Sequence, residues 1–362
     1  MPEPIMKSCL VRFLRDPQHS APRLSPGEWQ MLVRQARRSN LLSRMAHLVE
    51  TFDLLSFVPE HLQSHLLSAQ LVSLSNLRSV KWEILQIYTA LSEVGIPFAL
   101  LKGAAYVMSE RDAFQGRLFG DIDILVRNEQ LKEAEKALIK HGWFCTKIDP
   151  YDQKYYRTWM HELPPLKHLK RQTDLDVHHT ILPPTADAKP DINKIWEQVI
   201  ELKDYPGMYV LSLQDMILHS AAHLFHEGDF EQGLRDVVDL DALLREYSLE
   251  SGDAWADLLT RAKTLHLSRS LYYGLRYARM LLKTPVPGEL TGNMSAEAEP
   301  LYCSRYLMDK MLLKAMMPNC IGQRTRLLGL ARFILFIRSH YLRMPMQLLI
   351  PHLLRKAIKQ EN

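Results

Sequence analysis

The sequence predicts an α/β core, a small mixed sheet with helices, flanked by N-terminal and C-terminal helical regions. Short apolar runs alternate with helical periods in the middle of the chain, which is the pattern of strands interleaved with helices. Apolar residues recur at helical spacing on either side of that stretch, and Pro or Gly pairs mark the joins. The expected organisation is a helical region over 1–95, an α/β core over 96–190 and a helical region over 191–362 that ends in a basic tail.

The first region opens its clearest helix at Ser25-Pro26-Gly27-Glu28, with an N-cap serine, proline at the first helical position and glutamate at the capping-box position. That helix continues through Trp29, Leu32, Val33 and Ala36, and amphipathic segments follow at 41–54 and 59–91. In the last of these Leu66, Leu67, Leu71, Leu74 and Leu77 keep the period, and Gly95-Ile96-Pro97 closes the region.

The core begins with a strand at 98–101, then Lys102-Gly103 and a helix from Ala104. A second strand is expected at 121–126, a helix at 129–141, a third strand at 142–148 and a fourth at 173–179. The polar stretch 149–168, with Pro164-Pro165, reads as a hairpin or loop. Past Pro183-Pro184 and Lys189-Pro190 the chain reads helical, with segments at 213–226, 233–247, 254–263, 269–282, 301–316 and 323–341. Their Met and Leu stripes read as core.

The strand at 121–126 carries the chemistry. Alternation puts Asp121 and Asp123 on one face and Ile122 and Ile124 on the other. Adjacent ionised carboxylates repel, and burial raises the cost, so the pair calls for a cation. Mg²⁺ takes oxygen ligands and is commonly shared with substrate phosphates. A third carboxylate is available in Asp174-Leu175-Asp176-Val177-His178, where positions 174, 176 and 178 share a face and either acid can serve. Three such groups can hold two Mg²⁺ ions. Gly103 lets backbone approach a phosphate, with Lys102 as a point charge beside it. Arg117 is either a triphosphate contact or a loop arginine. His178 either orients a carboxylate or is a hydrogen-bonded structural group. His219 and His223, at i and i+4, read as a packed or nucleotide-facing pair, and Arg235 with Asp239 as an ion pair.

The order Lys102-Gly103, Asp121-x-Asp123, then one acid on a later strand resembles the polymerase-beta-like nucleotidyltransferase superfamily. More closely, the chain is similar to the bacterial uncharacterised nucleotidyltransferase family. That family has a helical lead-in, an LKG turn, an R-x-x-x-D-I-D-L-L-V strand and an E-L-H-W-like strand. Here Lys102-Gly103, Arg117, Asp121, Asp123 and Asp176-Val177-His178 stand at those positions, and the similarity runs from about Trp29 to about Leu244. The chain departs from the pattern in three places. Ala104 follows the glycine where glycine or serine is usual, Asp176 replaces a frequent glutamate, and His179 replaces a frequent aromatic.

The resemblance implies a Mg²⁺-dependent enzyme moving a nucleoside monophosphate from an NTP such as ATP to an acceptor hydroxyl, releasing pyrophosphate. Asp121, Asp123 and Asp176 would be the catalytic and metal-binding acids, and Lys102, Gly103 and Arg117 the nucleotide contacts. The acceptor, whether small molecule, peptide, protein or RNA, is left open. The rival expectation is a catalytically inactive nucleotide-binding or regulatory module with the same fold.

Composition narrows the setting. With 47% hydrophobic and 24% charged residues the chain is an ordinary globular one, and a net charge of +4 is too small for nucleic-acid binding by the whole surface. Charge does gather late: Arg324, Arg326, Arg332, Arg338, Arg343, Arg355, Lys356 and Lys359 face only Glu361, so the tail either meets an acidic partner or forms a solvated helix face. Cys9, Cys145, Cys303 and Cys320 show no CxxC pairing, no signal peptide is evident, and 327–337 is too short and too interrupted to cross a bilayer. The expectation is a cytoplasmic protein without a transmembrane segment.

Overall fold

The computed structural model describes residues 8–226, 228, 230–250, 254–288, 290, 294, 300–318, 326–351 and 353. Five helices lead: α1 Cys9–Arg15, α2 Pro17–Ser20, α3 Pro26–Arg38, α4 Leu42–Thr51 and α5 Glu60–Ser92. The capping box forms as expected on α3. Ser25 Oγ accepts from the Glu28 amide while Glu28 accepts from the Ser25 amide. The helix then buries Trp29, Leu32, Val33 and Ala36.

On α5 the buried residues are Leu62, Leu66, Ala69, Val80, Glu83, Ile84, Ile87, Ala90 and Leu91. Leu67, Leu71 and Leu74 are more than half exposed at 58%, 60% and 53%, so the leucine period there only partly marks core.

Strand β1 Phe98–Leu100 leads to α6 Lys102–Met108, then β2 Asp121–Val126, α7 Leu131–Lys140 and β3 Trp143–Cys145. The stretch read as hairpin or loop instead contains α8 Pro150–Trp159, followed by β4 Leu166–His168 and β5 Asp174–His178. Asp149 caps α8 by accepting from the Tyr151 and Asp152 amides, and Pro150 takes the first helical position. Polar composition concealed this helix; its cap was in plain view.

After α9 Ile192–Trp196 two short strands appear, β6 Ile200–Glu201 and β7 Met208–Val210, in a region expected to be helical. β7 pairs in parallel with β1, and β6 closes against it antiparallel, so the sheet continues beyond residue 190. The described part then ends in α10 Leu213–His226, α11 Gly233–Tyr247, α12 Ala254–Thr264, α13 Ser268–Leu282, α14 Tyr302–Met316 and α15 Arg326–Arg343.

The seven strands lie in the order β3–β4–β5–β2–β1–β7–β6. β2 runs parallel to β5 and antiparallel to β1. Ile122, Ile124, Leu175 and Val177 on one face of the central pair are all buried, which fixes the register of their carboxylate-bearing face. The late helices bury Met308, Met311, Leu312 and Met316, as expected. On α15, however, Leu330, Phe333, Phe336 and Ile337 are exposed.

The basic tail is partly described. Arg338 donates to the Phe225 carbonyl at 2.9 Å, and Arg332 stands 3.8 Å from Glu231, so these two are spent on the fold. Arg324, Arg355, Lys356, Lys359 and Glu361 lie outside the described residues, as does Cys320. Among the described residues no helix is long and apolar enough to cross a membrane.

Candidate active site

The parallel pairing of β2 with β5 sets Asp121 opposite Asp174 and Asp123 opposite Asp176. Because side chains alternate along a strand, these acids and His178 share one face of the sheet. One oxygen from each of Asp121, Asp123 and Asp176 falls within 4.8 Å of the others. Asp174 instead pairs with Lys167 at 3.1 Å on the neighbouring strand. Between the two acids that the strand pattern left open, Asp176 joins the cluster.

The three carboxyl groups differ in environment. Asp123 is 3% exposed, and burial alone would raise its pKa. The Lys102 ammonium at 2.8 Å and a hydrogen bond from His178 Nε2 at 3.0 Å override that, holding the carboxyl well below the usual range. At Asp176 the Lys102 charge acts in the same direction but is outweighed. Burial, followed by the charges of Asp123 and Asp121, pushes its carboxyl up to about 7. His178 is 1% exposed and burial lowers its pKa, so the neutral ring donates Nε2–H to the ionised Asp123.

Lys102 reaches Asp123 from an uncommon backbone conformation. Its φ of +45° lies in the left-handed region that glycine favours, at a cost of about 1–2 kcal/mol. The Leu101 amide donates to the Asp123 carbonyl at 3.0 Å, so main chain and side chain both tie the turn to β2. Strain tolerated at a lysine aimed into a carboxylate cluster is characteristic of functional sites.

Gly103 follows, and its missing side chain matters. A Cβ there would stand 2.3 Å from Arg117 Nη1 and 2.7 Å from Phe119 Cδ1. Arg117 packs its guanidinium 5.0 Å from the centre of the Phe119 ring and donates from Nε to Asp239 Oδ2 at 2.7 Å. Asp239 therefore pairs with Arg117, and lies 4.0 Å from Arg44, whereas Arg235 pairs with Asp236. The expected Arg235–Asp239 pair does not form, because the buried carboxylate points toward the two buried arginines. The loop leading into β2 is also clamped by Asn76, which accepts from the Phe119 amide at 2.8 Å and donates to its carbonyl at 3.1 Å.

His219 is buried, and burial followed by the Lys102 charge holds its pKa well below the ordinary value. Its ring centre is 6.5 Å from that of His223. Among the described residues neither belongs to a group of three metal-ligating side chains.

Sequence reasoning missed His161 and Glu162. They precede Leu163, whose amide donates to the Val177 carbonyl at 2.8 Å, and Glu162 bridges to His178 across the strand edge. Tyr156 on α8 joins the same neighbourhood, its phenol pKa raised by burial and by the Glu162 and Asp176 charges. The signal was present as a histidine and a glutamate ahead of Pro164-Pro165, inside the stretch read as a polar loop.

A sequence model of the family described as "Uncharacterised nucleotidyltransferase" matches residues 25–283, most of the chain. No curated protein and no solved structure matches it.

Proposed function

The chain belongs to the uncharacterised nucleotidyltransferase family, and from that premise we propose that it transfers a nucleoside monophosphate from an NTP to an acceptor hydroxyl and releases pyrophosphate. The observation that carries the reading is the β2–β5 register, which gathers Asp121, Asp123 and Asp176 into one cluster.

The cluster suits Mg²⁺. Its donors are all carboxylate oxygens, the class a hard dication takes, and Lys102 balances only one of the three acids. Burial first, then the charges of Asp123 and Asp121, raise the pKa of Asp176, and a bound cation would offset the part due to charge. Asp121, Asp123 and Asp176 would hold the metal, which when bound would neutralise phosphate charge and acidify the acceptor hydroxyl.

The protein's own groups supply the rest. Lys102 and His178 both engage Asp123 Oδ1, fixing that carboxylate and leaving Oδ2 for a ligand. Lys102 and Gly103 meet the phosphate chain. Arg117, with its charge matched by Asp239, backs Gly103 instead of reaching for the triphosphate. As the acceptor oxygen bonds to the α-phosphorus and the bond to pyrophosphate breaks, the hydroxyl proton passes to the Asp176 carboxylate.

Incubation with ATP, GTP, CTP or UTP, Mg²⁺ and a cell extract tests this by pyrophosphate release and by label transfer from the α-phosphate. Wild type should label an acceptor from at least one nucleotide, and Asp123→Ala should not. Equal turnover by Asp123→Ala, with its circular dichroism unchanged, overturns the assignment.

A further inference from the structure

A cavity of about 460 Å³ that includes none of the triad acids opens where four pieces of chain meet. His226 ends α10, Arg269 lies in the first turn of α13, Arg338 belongs to α15, and Asp187 and Lys189 precede α9. We propose that this cavity binds the phosphate group of a small phosphorylated molecule, with Arg338, Arg269 and Lys189 as its cationic contacts. The proposal stands apart from the transfer reading and does not depend on it.

Hydrogen bonds hold the walls in place. The Asp187 amide donates to the Leu342 carbonyl at 3.3 Å, and Thr185 Oγ1 to the Arg343 carbonyl at 2.6 Å. Both tie the segment at 185–187 to the end of α15. Arg338 Nη1 donates to the Phe225 carbonyl at 2.9 Å, which ties α15 to the end of α10. The volume falls in the range of small-molecule sites, so an organic body has room beside the anion.

Charge decides the class of ligand. The bond to Phe225 uses one of the five N–H donors of Arg338, and among the described residues no carboxylate pairs with its guanidinium. Arg338 is half-buried, and burial lowers its pKa, with the Arg269 charge acting in the same direction. Lys189 is exposed and likewise forms no ion pair among the described residues. The acid in the lining, Asp187, pairs with none of these cations.

The neighbouring histidine senses the same field. Burial first, and then the Arg338 and Arg343 charges, push the His226 imidazole down to about 4, against its hydrogen bond to the Ala222 carbonyl. α13 also begins at the cavity without a side-chain cap, so the positive end of that helix adds to the field. Guanidinium forks suit carboxylate and phosphate alike. The excess of cations favours the more highly charged anion, and a phosphate monoester carries about −1.5 to −2 at neutral pH.

Isothermal titration of the full chain with inorganic phosphate, free of Mg²⁺ and at constant ionic strength, tests this. Holding the ionic strength constant removes screening as a cause of any difference. Wild type should bind phosphate saturably, and should bind acetate, a monoanion, about tenfold more weakly. Arg338→Gln keeps an N–H for the Phe225 carbonyl and loses the charge, so phosphate binding should weaken by about tenfold. Lys189→Gln should weaken it several-fold. Because Lys189 is exposed, that variant carries the test should Arg338→Gln fail to fold. Lys102→Met should leave this binding unchanged, since Lys102 lies at the triad. No saturable binding by the wild type, acetate bound as tightly as phosphate, binding unchanged in Lys189→Gln, or loss of binding in Lys102→Met overturns the proposal. Nucleotide turnover with Mg²⁺ tests the transfer reading separately, so either can fail alone.

Discussion

Arg117 Nε donates to Asp239 Oδ2 across 2.7 Å, joining the loop ahead of β2 to α11. Both side chains are almost wholly buried, at 12% and 5% exposure. Arg44 stands 4.0 Å from the other oxygen of the same carboxylate and also donates to the Asp112 and Ala113 carbonyls. One acid thus serves two buried arginines, and removing it would leave both without their counter-charge. Asp239→Ala should cost about 3–5 kcal/mol, the range for breaking a buried pair. Urea unfolding would check this: the midpoint should fall, and a loss below about 1 kcal/mol would mean the arginines find water or another partner.

The same arginine limits what can replace Gly103. A methyl group there meets Arg117 Nη1 at 2.3 Å and Phe119 at 2.7 Å. Arg117 cannot swing aside without leaving Asp239. Gly103→Ala should therefore destabilise the protein by about 1–3 kcal/mol, as overpacking does. A double-mutant cycle with Arg117→Ala distinguishes this clash from a general loss of helix fit. The two changes should couple by more than about 0.5 kcal/mol, the alanine being tolerated better once the guanidinium is gone. Strict additivity would show that Gly103 is needed for some other reason.

These contacts mark where sequence reasoning reaches and where it stops. The carboxylate-bearing strand was legible at residues 121–126, because alternation with Ile122 and Ile124 leaves one register. The helices at 213–226 and 233–247 were legible in the same way, from sustained apolar periods. Strand β7, three residues long, carries too little pattern to be seen, and its pairing with β1 depends on distant chain. Asp239 was visible only as a neighbour of Arg235 on one helix. Its actual partner is 122 residues away, and spacing along a helix contains no information about such a contact. His161 and Glu162 were missed for a related reason, since only the fold brings them to His178.

Among the described residues Lys102 is the lysine or arginine bonded to Asp123, at 2.8 Å. Lys102→Met keeps the length of the side chain and removes the charge, so the carboxylate cluster becomes more negative. Two opposite effects are expected. Mg²⁺ should bind several-fold tighter, because the ammonium no longer competes for Asp123, while nucleotide turnover should fall at least tenfold through the lost phosphate contact. Isothermal titration with Mg²⁺ alone and a pyrophosphate-release assay measure the two separately. Weaker Mg²⁺ binding in the variant would show that Lys102 organises the cluster more than it competes within it.

Asp176 contributes a loss toward higher pH to the pH response of the metal-free protein. Burial and then the charges of Asp123 and Asp121 push its carboxyl up to about 7 in the fold, whereas an aspartate in the unfolded chain titrates near 3.9. Between those values the folded protein keeps a proton that the unfolded chain has released. The stability held at pH 4 is therefore lost progressively as pH rises through 7. The shift sets a ceiling of about 4 kcal/mol, and solvent screening of this half-buried group brings the effect below it. Buried histidines such as His219 and His226, whose pKa burial lowers, pull the other way between pH 5 and 7, so the Asp176 effect is read as a difference: from pH 5 to pH 8 chelator-treated wild type should lose urea stability relative to Asp176→Asn, which cannot ionise. Excess Mg²⁺ should flatten the wild-type dependence at high pH, because the cation binds and stabilises the ionised carboxylate. An Asp176→Asn protein with the same pH dependence as wild type would place the titrating group elsewhere and remove the charge argument for a cation at the triad.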